Sequence, residues 1–468
     1  MYCWDAGGQI SISESNGGET EAKEWSSLRF VHGKGGFFGE YRTILREVIM
    51  SAEAWGSIGR YPRCMAKKTS KKKRVKKTPK KSAKKVSKKG QSGSESVQAS
   101  QALDGYRKKI DRLDQKLVDT LNERAKLVVE VGELKRGSDT PIYAPHREAQ
   151  VLEKALGRNE GPLLDRTIEG IYREMMSGSF ALERPLRIGF LGPAGSYSHQ
   201  ASVLQFGSSV DYEDLQLIAG VFTEVRRGHV NYGLVPIENS IGGGITETLD
   251  ALAHNAGHVH VYAEAQIAIR HMLLTNAKPH DVRRIHSKPE VFAQCRNWLT
   301  TQYPNAALIP DASTSQAVKT ALKENQLAIE IGAQPGSAAI ASELAGELYG
   351  LPVLFSNIAD NPDNITRFYI ISKEKALPTG DDKTSIMFAT EDKSGALVEV
   401  LQAFQSEGVN LSHIDKRPSG RENWSYAFYI DALGHRDDAS MKRAIKGAKG
   451  HCKELQVLGS YPRSKRIL

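Results

Sequence analysis

The chain has 468 residues, 40% of them hydrophobic, with 64 Lys and Arg against 54 Asp and Glu and a formal net charge of +10. That length holds about three domains with ample buried cores, and the composition is that of an ordinary globular protein. The excess charge is local: residues 67–89 contain 14 Lys or Arg and no acid, so the remainder carries −4, the difference between +10 and 14, and basicity gives the folded part no reason to seek a polyanion.

The sequence has no run of about 18 apolar residues that could span a membrane. Cys3, Cys64, Cys295 and Cys452 are scattered, with neither metal spacing nor a disulfide framework, as in a reducing cytoplasm. The first 30 residues have no charged segment leading into an apolar one. Residues 1–100 read as a disordered extension. A short helix is possible at 40–50, and Met65 is the expected true start. The Lys-rich tract at 67–89 cannot bury enough apolar surface to fold alone. It reads as solvated chain. Contact with nucleic acid or another polyanion is the alternative, but no aromatics interleave to stack bases.

Ile110, Leu113, Leu117, Leu121, Val128 and Val131 recur at helical spacing, which predicts one helix over 101–136. A second should begin at Pro145 and end near Gly157, and a third should cover 162–183. A helix this long needs a partner, so an intertwined homodimer or a higher homo-oligomer is expected. Arg124 and Lys135 return to within about 20° of one face of the first helix, and Arg107 lies about 100° away. One helix can thus aim two cations into one pocket and Arg107 towards a neighbouring one.

The stretches around Arg107, Arg124 to Lys135, and Pro145-His-Arg147-Glu148 resemble the all-helical chorismate mutase family, over 101–184. The resemblance implies the rearrangement of chorismate to prephenate. Arg clamps suit a dicarboxylate, and a Lys suits charge developing on an ether oxygen. It implies Arg107, Arg124 and Arg147 as carboxylate binders, with Arg107 serving the partner's site. Lys135 would face the ether oxygen and Glu148 the ring hydroxyl, with Ser179 and Glu183 on the last helix. Many relatives have Gln where Glu183 stands. A Glu donates there only when protonated, so the expected mutase favours lower pH. Ala144 replaces an Asp of some relatives and loses a polar contact.

From 186 to 376 apolar strands alternate with helices. Residues 187–191 read as a strand, Gly192-Pro-Ala-Gly195-Ser196-Tyr197-Ser198 as a tight turn, and His199 onward as a helix. That order makes an anion site, but its spacing is neither a dinucleotide fingerprint nor a phosphate loop. A second strand ends in Glu238-Asn239-Ser240. Ser287 leads into a helix that carries Gln294 and Cys295, and Ser313-Thr314-Ser315 heads another. Asn364-Ile-Thr366-Arg367-Phe368 opens a last apolar run, which places Thr366 and Arg367 at a strand's start, where a loop can aim them into a cleft. Two lobes closing on a small polar anion are expected. An anion sensor of the same architecture is the non-enzymatic alternative.

In sequence, order and spacing these motifs resemble prephenate dehydratase across the whole unit. The implied reaction takes water and carbon dioxide from prephenate to give phenylpyruvate, without metal or cofactor. Thr366 would assist departure of the ring hydroxyl. Ser196, which stands for a common Thr, would bind substrate together with Glu238, Asn239, Ser240, Ser287, Gln294, Arg367 and Phe368. Arg367 would hold a carboxylate or a structural partner.

Residues 383–463 read as βαββαβ, a ferredoxin-like sandwich, and resemble an ACT domain, an amino-acid sensor. Gly395-Ala396-Leu397-Val398 matches its first ligand motif. Asp415-Lys416-Arg417-Pro418 stands where the family has Glu-Ser-Arg-Pro. The fold class is therefore multidomain: an all-α domain, a two-lobed α/β unit like periplasmic binding proteins, and an α+β sensor. All three parts resemble one bifunctional family, chorismate mutase with prephenate dehydratase, inhibited by L-phenylalanine. The other enzymatic reading is a dehydratase whose helical domain is only structural.

Overall fold

The computed structural model describes residues 2–4, 10–12, 92–135, 142–418 and 426–468. The readings placed on 40–50, on Met65 and on the tract 67–89 lie outside the described residues. Residues 1–90 form a unit of their own, in which β1 (Tyr2–Trp4) and β2 (Ile10–Ile12) pair antiparallel, so that short stretch of the expected extension is not without structure.

The second unit opens with helix α1 (Ser92–Lys135). It starts well before the expected residue 101: no Pro interrupts the run, and Gly93 and Gly105 are both tolerated inside it. Helix α2 (Pro145–Leu156) has Pro at its first turn. Helix α3 (Asp165–Glu183) begins after the expected 162, beyond a turn at Gly161 with positive φ. The C-terminal half of α1 packs on α3 closely. A β-carbon at Gly132 would stand 3.3 Å from Glu183 Cα, a tight contact, so the helices meet closely where α1 has no side chain. The N-terminal half is different. Tyr106, Ile110, Leu113 and Leu117 alternate at three and four residues, and all are more than half exposed.

The α/β part follows in chain order: β3 (Arg187–Leu191), α4 (Tyr197–Phe206), β4 (Asp211–Leu215), α5 (Ile218–Arg227), β5 (Tyr232–Asn239), β6 (Gly243–Gly244), α6 (Thr246–Asn255) and β7 (His260–Ala268). The chain then crosses to a second lobe: β8 (Met272–Leu274), β9 (Arg284–Ser287), α7 (Pro289–Gln294), α8 (Arg296–Gln302), β10 (Ala307–Pro310), α9 (Thr314–Glu330), β11 (Ser337–Ala341), α10 (Glu343–Tyr349) and β12 (Val353–Phe355). It returns as β13 (Ile365–Ser372), so the first sheet runs β4-β3-β5-β13-β7 and the second β10-β9-β11-β8-β12. The apolar runs at 188–190 and 368–371 make the inner strands of the first sheet, buried on both faces. Thr366 and Arg367 are not in a loop before β13 but inside it. Thr366 pairs with Asn239 on one side and Ile267 on the other, because the C-terminal ends of β5 and β7 carry the ladder this far.

The last part is β14 (Asp382–Ala389), α11 (Ala396–Ser406), β15 (Leu411–Pro418), β16 (Tyr426–Leu433), α12 (Ala439–Lys449) and β17 (Glu454–Pro462), the expected βαββαβ, with sheet order β15-β16-β14-β17. One core holds Met387, Tyr429, Leu458 and Tyr461 of this sheet together with Phe368 and Val261 of the first lobe. Residues 464–468 run back along β7, where Leu468 N–H donates to the Gln266 carbonyl at 2.8 Å. Among the described residues no helix is long and apolar enough to cross a membrane, and no cluster of His, Cys, Asp and Glu could hold a metal ion.

Two candidate active sites

Helices α1, α2 and α3 enclose a cavity of about 320 Å³ lined by Arg124, Lys135, Arg147, Glu148, Ser179 and Glu183 over an apolar floor of Leu127, Val128, Val131 and Met176. Arg124 donates to Ser179 Oγ at 2.7 Å, and that hydroxyl donates to the Met175 carbonyl at 2.8 Å. Lys135 pairs with Glu183 at 3.0 Å, both side chains partly buried. These two bonds fix both cations against α3 instead of leaving them on a solvated helix face. Burial pushes the Glu148 carboxyl up to about 7, against the opposing pull of Arg466, Tyr143 and Arg173. Six of the seven residues expected here thus line one cavity. Arg107 does not. It is exposed, paired with Asp104 at 3.2 Å one turn away, and the sequence interval from Arg124 carries it beyond reach of its own chain's cavity.

The second cavity, about 710 Å³, lies between the two α/β lobes at the C-terminal ends of β3 and β5, where open α/β sheets take ligands. Two helix N-termini border it. Ser196 caps α4 by accepting from His199 N–H at 3.3 Å, and Ser313 caps α9 by accepting from Gln316 N–H at 3.0 Å. Gly195 at φ +81° makes the turn that presents the first. Lys288 adds a cation. Helix dipoles and ammonium together favour an anion.

A row of hydrogen bonds crosses the floor. The Asn239 side chain accepts from the Ile241 and Gly242 N–H groups at 3.0 and 2.8 Å, which turns its amide nitrogen to Thr366 Oγ at 2.9 Å and Asn364 Oδ1 at 2.7 Å. Asn364 donates to Gln294 Oε1 at 3.3 Å, and the same oxygen meets His271 Nε2 at 2.7 Å. His271 Nδ1 is 2.6 Å from the Tyr197 hydroxyl. Burial lowers the His271 pKa, although its bond to Gln294 acts the other way. The ring is therefore neutral near pH 7, with the Nε2 proton given to Gln294. Among the described residues the Thr366 hydroxyl only accepts, so its own hydrogen is available to the cavity.

Ser196, Asn239, Gln294, Thr366 and Phe368 line this cavity as expected, and Ser198, whose stretch was singled out, joins them. Four expected residues do not. Ser287 is fully buried and donates to the Ile340 carbonyl at 2.8 Å. Ser240 staples residues 363–365, donating to the Asp363 carbonyl at 3.1 Å and accepting from Ile365 N–H at 3.0 Å. Arg367 points to the opposite face of the sheet from Thr366, as strand alternation dictates. There it meets Asp431 of β16 at 2.5 Å, Glu264 of β7 at 3.4 Å and Glu238 at 3.2 Å. Glu238 shares that face and also lies 3.6 Å from His413. Of the two roles open to Arg367, the geometry is that of the structural partner. His271 and Lys288 were not singled out, and Tyr197 and Asn364 only as members of longer motifs. His271 stands in Ile269-Arg270-His271-Met272, which carries no motif, and its partners Tyr197 and Gln294 are 74 and 23 residues away.

Gly395 to Val398 stand at the start of α11, with Gly395 in the left-handed region at φ +81°. Asp415 to Pro418 form the end of β15, an edge strand. Lys416 lies over the Tyr426 ring. Arg417 clamps Asp250 of α6 with two bonds of 2.9 and 2.7 Å. Neither motif lines the two cavities.

Comparison with known proteins gives the same order of parts. The chain matches the family models chorismate mutase type II over 106–184, prephenate dehydratase over 188–376 and ACT domain over 384–450. It is 39% identical to a bifunctional chorismate mutase/prephenate dehydratase of Stutzerimonas stutzeri, across 79% of this chain and 100% of that one. It is 37% identical to a protein of that name from Aquifex aeolicus, across 78% and 99%. Among solved structures, the prephenate dehydratase of Arthrobacter aurescens in complex with L-Phe is 36% identical. It has a TM-score of 0.54 and covers 60% of this chain and 92% of that one.

Proposed function

The chain belongs to the bifunctional chorismate mutase/prephenate dehydratase family, and from that premise we propose how its residues divide the two reactions. It converts chorismate to prephenate in the helical cavity and prephenate to phenylpyruvate between the lobes. In the first site Arg124 and Arg147 hold the two carboxylates and fix the reactive conformer. Lys135, oriented by Glu183, faces the ether oxygen as that bond breaks, and Glu148 takes the ring hydroxyl.

In the second site the two helix N-termini and Lys288 hold the side-chain carboxylate. Thr366 passes its hydrogen to the departing ring hydroxyl, which leaves as water, and the Thr366 oxygen takes back a proton from solvent. The ring carboxylate leaves as carbon dioxide, and its bonding electrons complete the aromatic ring. Asn239, Asn364 and Gln294 form a rigid row behind Thr366 that keeps its hydroxyl aimed. The observation that carries this reading is the Asn239 bond to Thr366, which uses the hydroxyl's acceptor side and leaves its donor side to the substrate. Replacement of Thr366 by Val, which keeps shape and removes the hydroxyl, tests it. Dehydratase turnover should fall while mutase turnover stays, and an unchanged dehydratase would reject the role.

L-Phenylalanine is the proposed effector, held by Gly395 to Val398 and by Asp415 to Pro418 where two copies of the sensor domain meet, since in one chain the two motifs are not joined in a cavity described above. A homodimer or larger homo-oligomer is part of the proposal. The exposed seam of Tyr106, Ile110, Leu113 and Leu117 supports it, because such heptad spacing fits a second helix, and Arg107 on that helix would then serve the partner's site. A cytoplasmic location is proposed as well, supported by the unpaired Cys295 and Cys452.

A further inference from the structure

The segment before α2 does more than connect two domains. Tyr143, 1% exposed, is packed among the rings of Phe180, Phe206, Tyr232 and Tyr262, and its carbonyl accepts from the Tyr262 hydroxyl at 2.7 Å. So a residue of the mutase stretch is part of the dehydratase core. At its outer end the Tyr143 hydroxyl accepts from Gln205 Nε2 at 2.9 Å. The same amide nitrogen reaches Glu148 Oε2 at 3.4 Å, so the Tyr143 hydroxyl holds the amide that faces that carboxylate. An amide nitrogen has two hydrogens, so Gln205 can serve both partners at once. Gln205 lies near the C-terminal end of α4, and the first residues of that helix, Tyr197 and Ser198, line the dehydratase cavity.

We propose that Gln205, a residue of the dehydratase domain, is a positioning residue for the mutase: with Tyr143 it holds the Glu148 carboxylate towards the ring hydroxyl of chorismate. The mutase cavity is thereby finished by a helix that also borders the second active site. The inference rests on the reading of Glu148 as the ring-hydroxyl contact. Donors to a carboxylate favour its charged form and oppose the cost of burial. The charged groups around Glu148 come from several elements: Arg173 of α3, Arg466 of the segment after β17, Arg147 beside it, and Arg124, Lys135 and Glu183 across the cavity. Arg466 is itself anchored to Glu169 of α3 at 2.8 Å.

The test is the pair Gln205→Met and Tyr143→Phe in the full chain, with mutase and dehydratase turnover measured separately across pH. Methionine keeps the length of glutamine without its donors, and phenylalanine keeps the packed ring. In the wild type, mutase kcat/KM should show an acid limb that reports Glu148. Gln205→Met should lower mutase kcat/KM about tenfold at pH 7 and move that limb up by about one pH unit, the effect of one lost bond to a charged group. Tyr143→Phe should move it in the same direction. Dehydratase turnover should stay within about twofold in both, which also shows that the fold is intact. A limb that stays in place in both variants overturns the inference, and so does an equal loss of both activities, since that is a packing effect. A wild type that does not turn over chorismate overturns the mutase reading itself, a different result from any of these.

Discussion

Replacing Arg367 by Met separates a structural arginine from a substrate-binding one. The guanidinium is about one-tenth exposed and meets Asp431 at 2.5 Å and Glu264 at 3.4 Å, side chains that are 3% and 0% exposed. Glu264 keeps Lys383 at 3.0 Å after the change. Among the described residues, Asp431 keeps the neutral donors Tyr369 at 3.0 Å and Ser385 at 2.5 Å. Burial acts to raise the Asp431 pKa, and Arg367 with these hydrogen bonds holds it below the ordinary value. Without the arginine, a buried carboxylate is left uncompensated, which costs about 3–5 kcal/mol. For a domain of this size that is a fall in Tm on the order of 10 °C. The assay is thermal unfolding of Arg367→Met, Asp431→Leu and the double variant, with dehydratase kinetics at a temperature where all three are folded. The double variant should recover at least about 2 kcal/mol relative to additivity. An unchanged Tm with a large rise in KM for prephenate would refute the reasoning and return Arg367 to the substrate.

Three further outcomes follow from the geometry. Thr366→Val should reduce dehydratase kcat about 10²- to 10⁴-fold, the range for loss of a positioned proton donor, with mutase kcat intact in the same preparation. His271 is held neutral by burial, so its network is complete above the ordinary imidazole pKa of about 6.5. Below that value the unfolded chain binds a proton before the folded one does. Stability and dehydratase kcat should therefore decline together as pH falls through the lowered pKa, and His271→Gln should flatten the kinetic limb. Leu113→Glu with Leu117→Glu should dissociate the assembly in analytical ultracentrifugation and remove mutase activity through loss of the partner's Arg107, while the dehydratase persists in the monomer.

How much could be read from the sequence depended on how local each signal is. The spacing of Leu113, Leu117 and Leu121 is a property of one helix, and the Gly192 to Ser196 turn is a property of one junction, so both were legible. The βαββαβ order of the sensor was legible for the same reason. What Arg367 does was not, because its main partner Asp431 comes from another domain and strand alternation turns it away from its neighbour Thr366. Ser287 looked like a ligand because it leads into a helix, but its hydroxyl is consumed by the adjacent strand at Ile340. His271 and Gln205 carry no motif of their own. Their significance lies in distances of 2.6 to 3.4 Å to residues that are remote in sequence.

The central claim is that one chain runs both reactions and answers to L-phenylalanine. The direct measurement is to supply the purified full chain with chorismate alone and follow phenylpyruvate, with and without L-phenylalanine. The account expects phenylpyruvate to form without added prephenate and to be suppressed by the amino acid. Phenylpyruvate from prephenate but none from chorismate would contradict it.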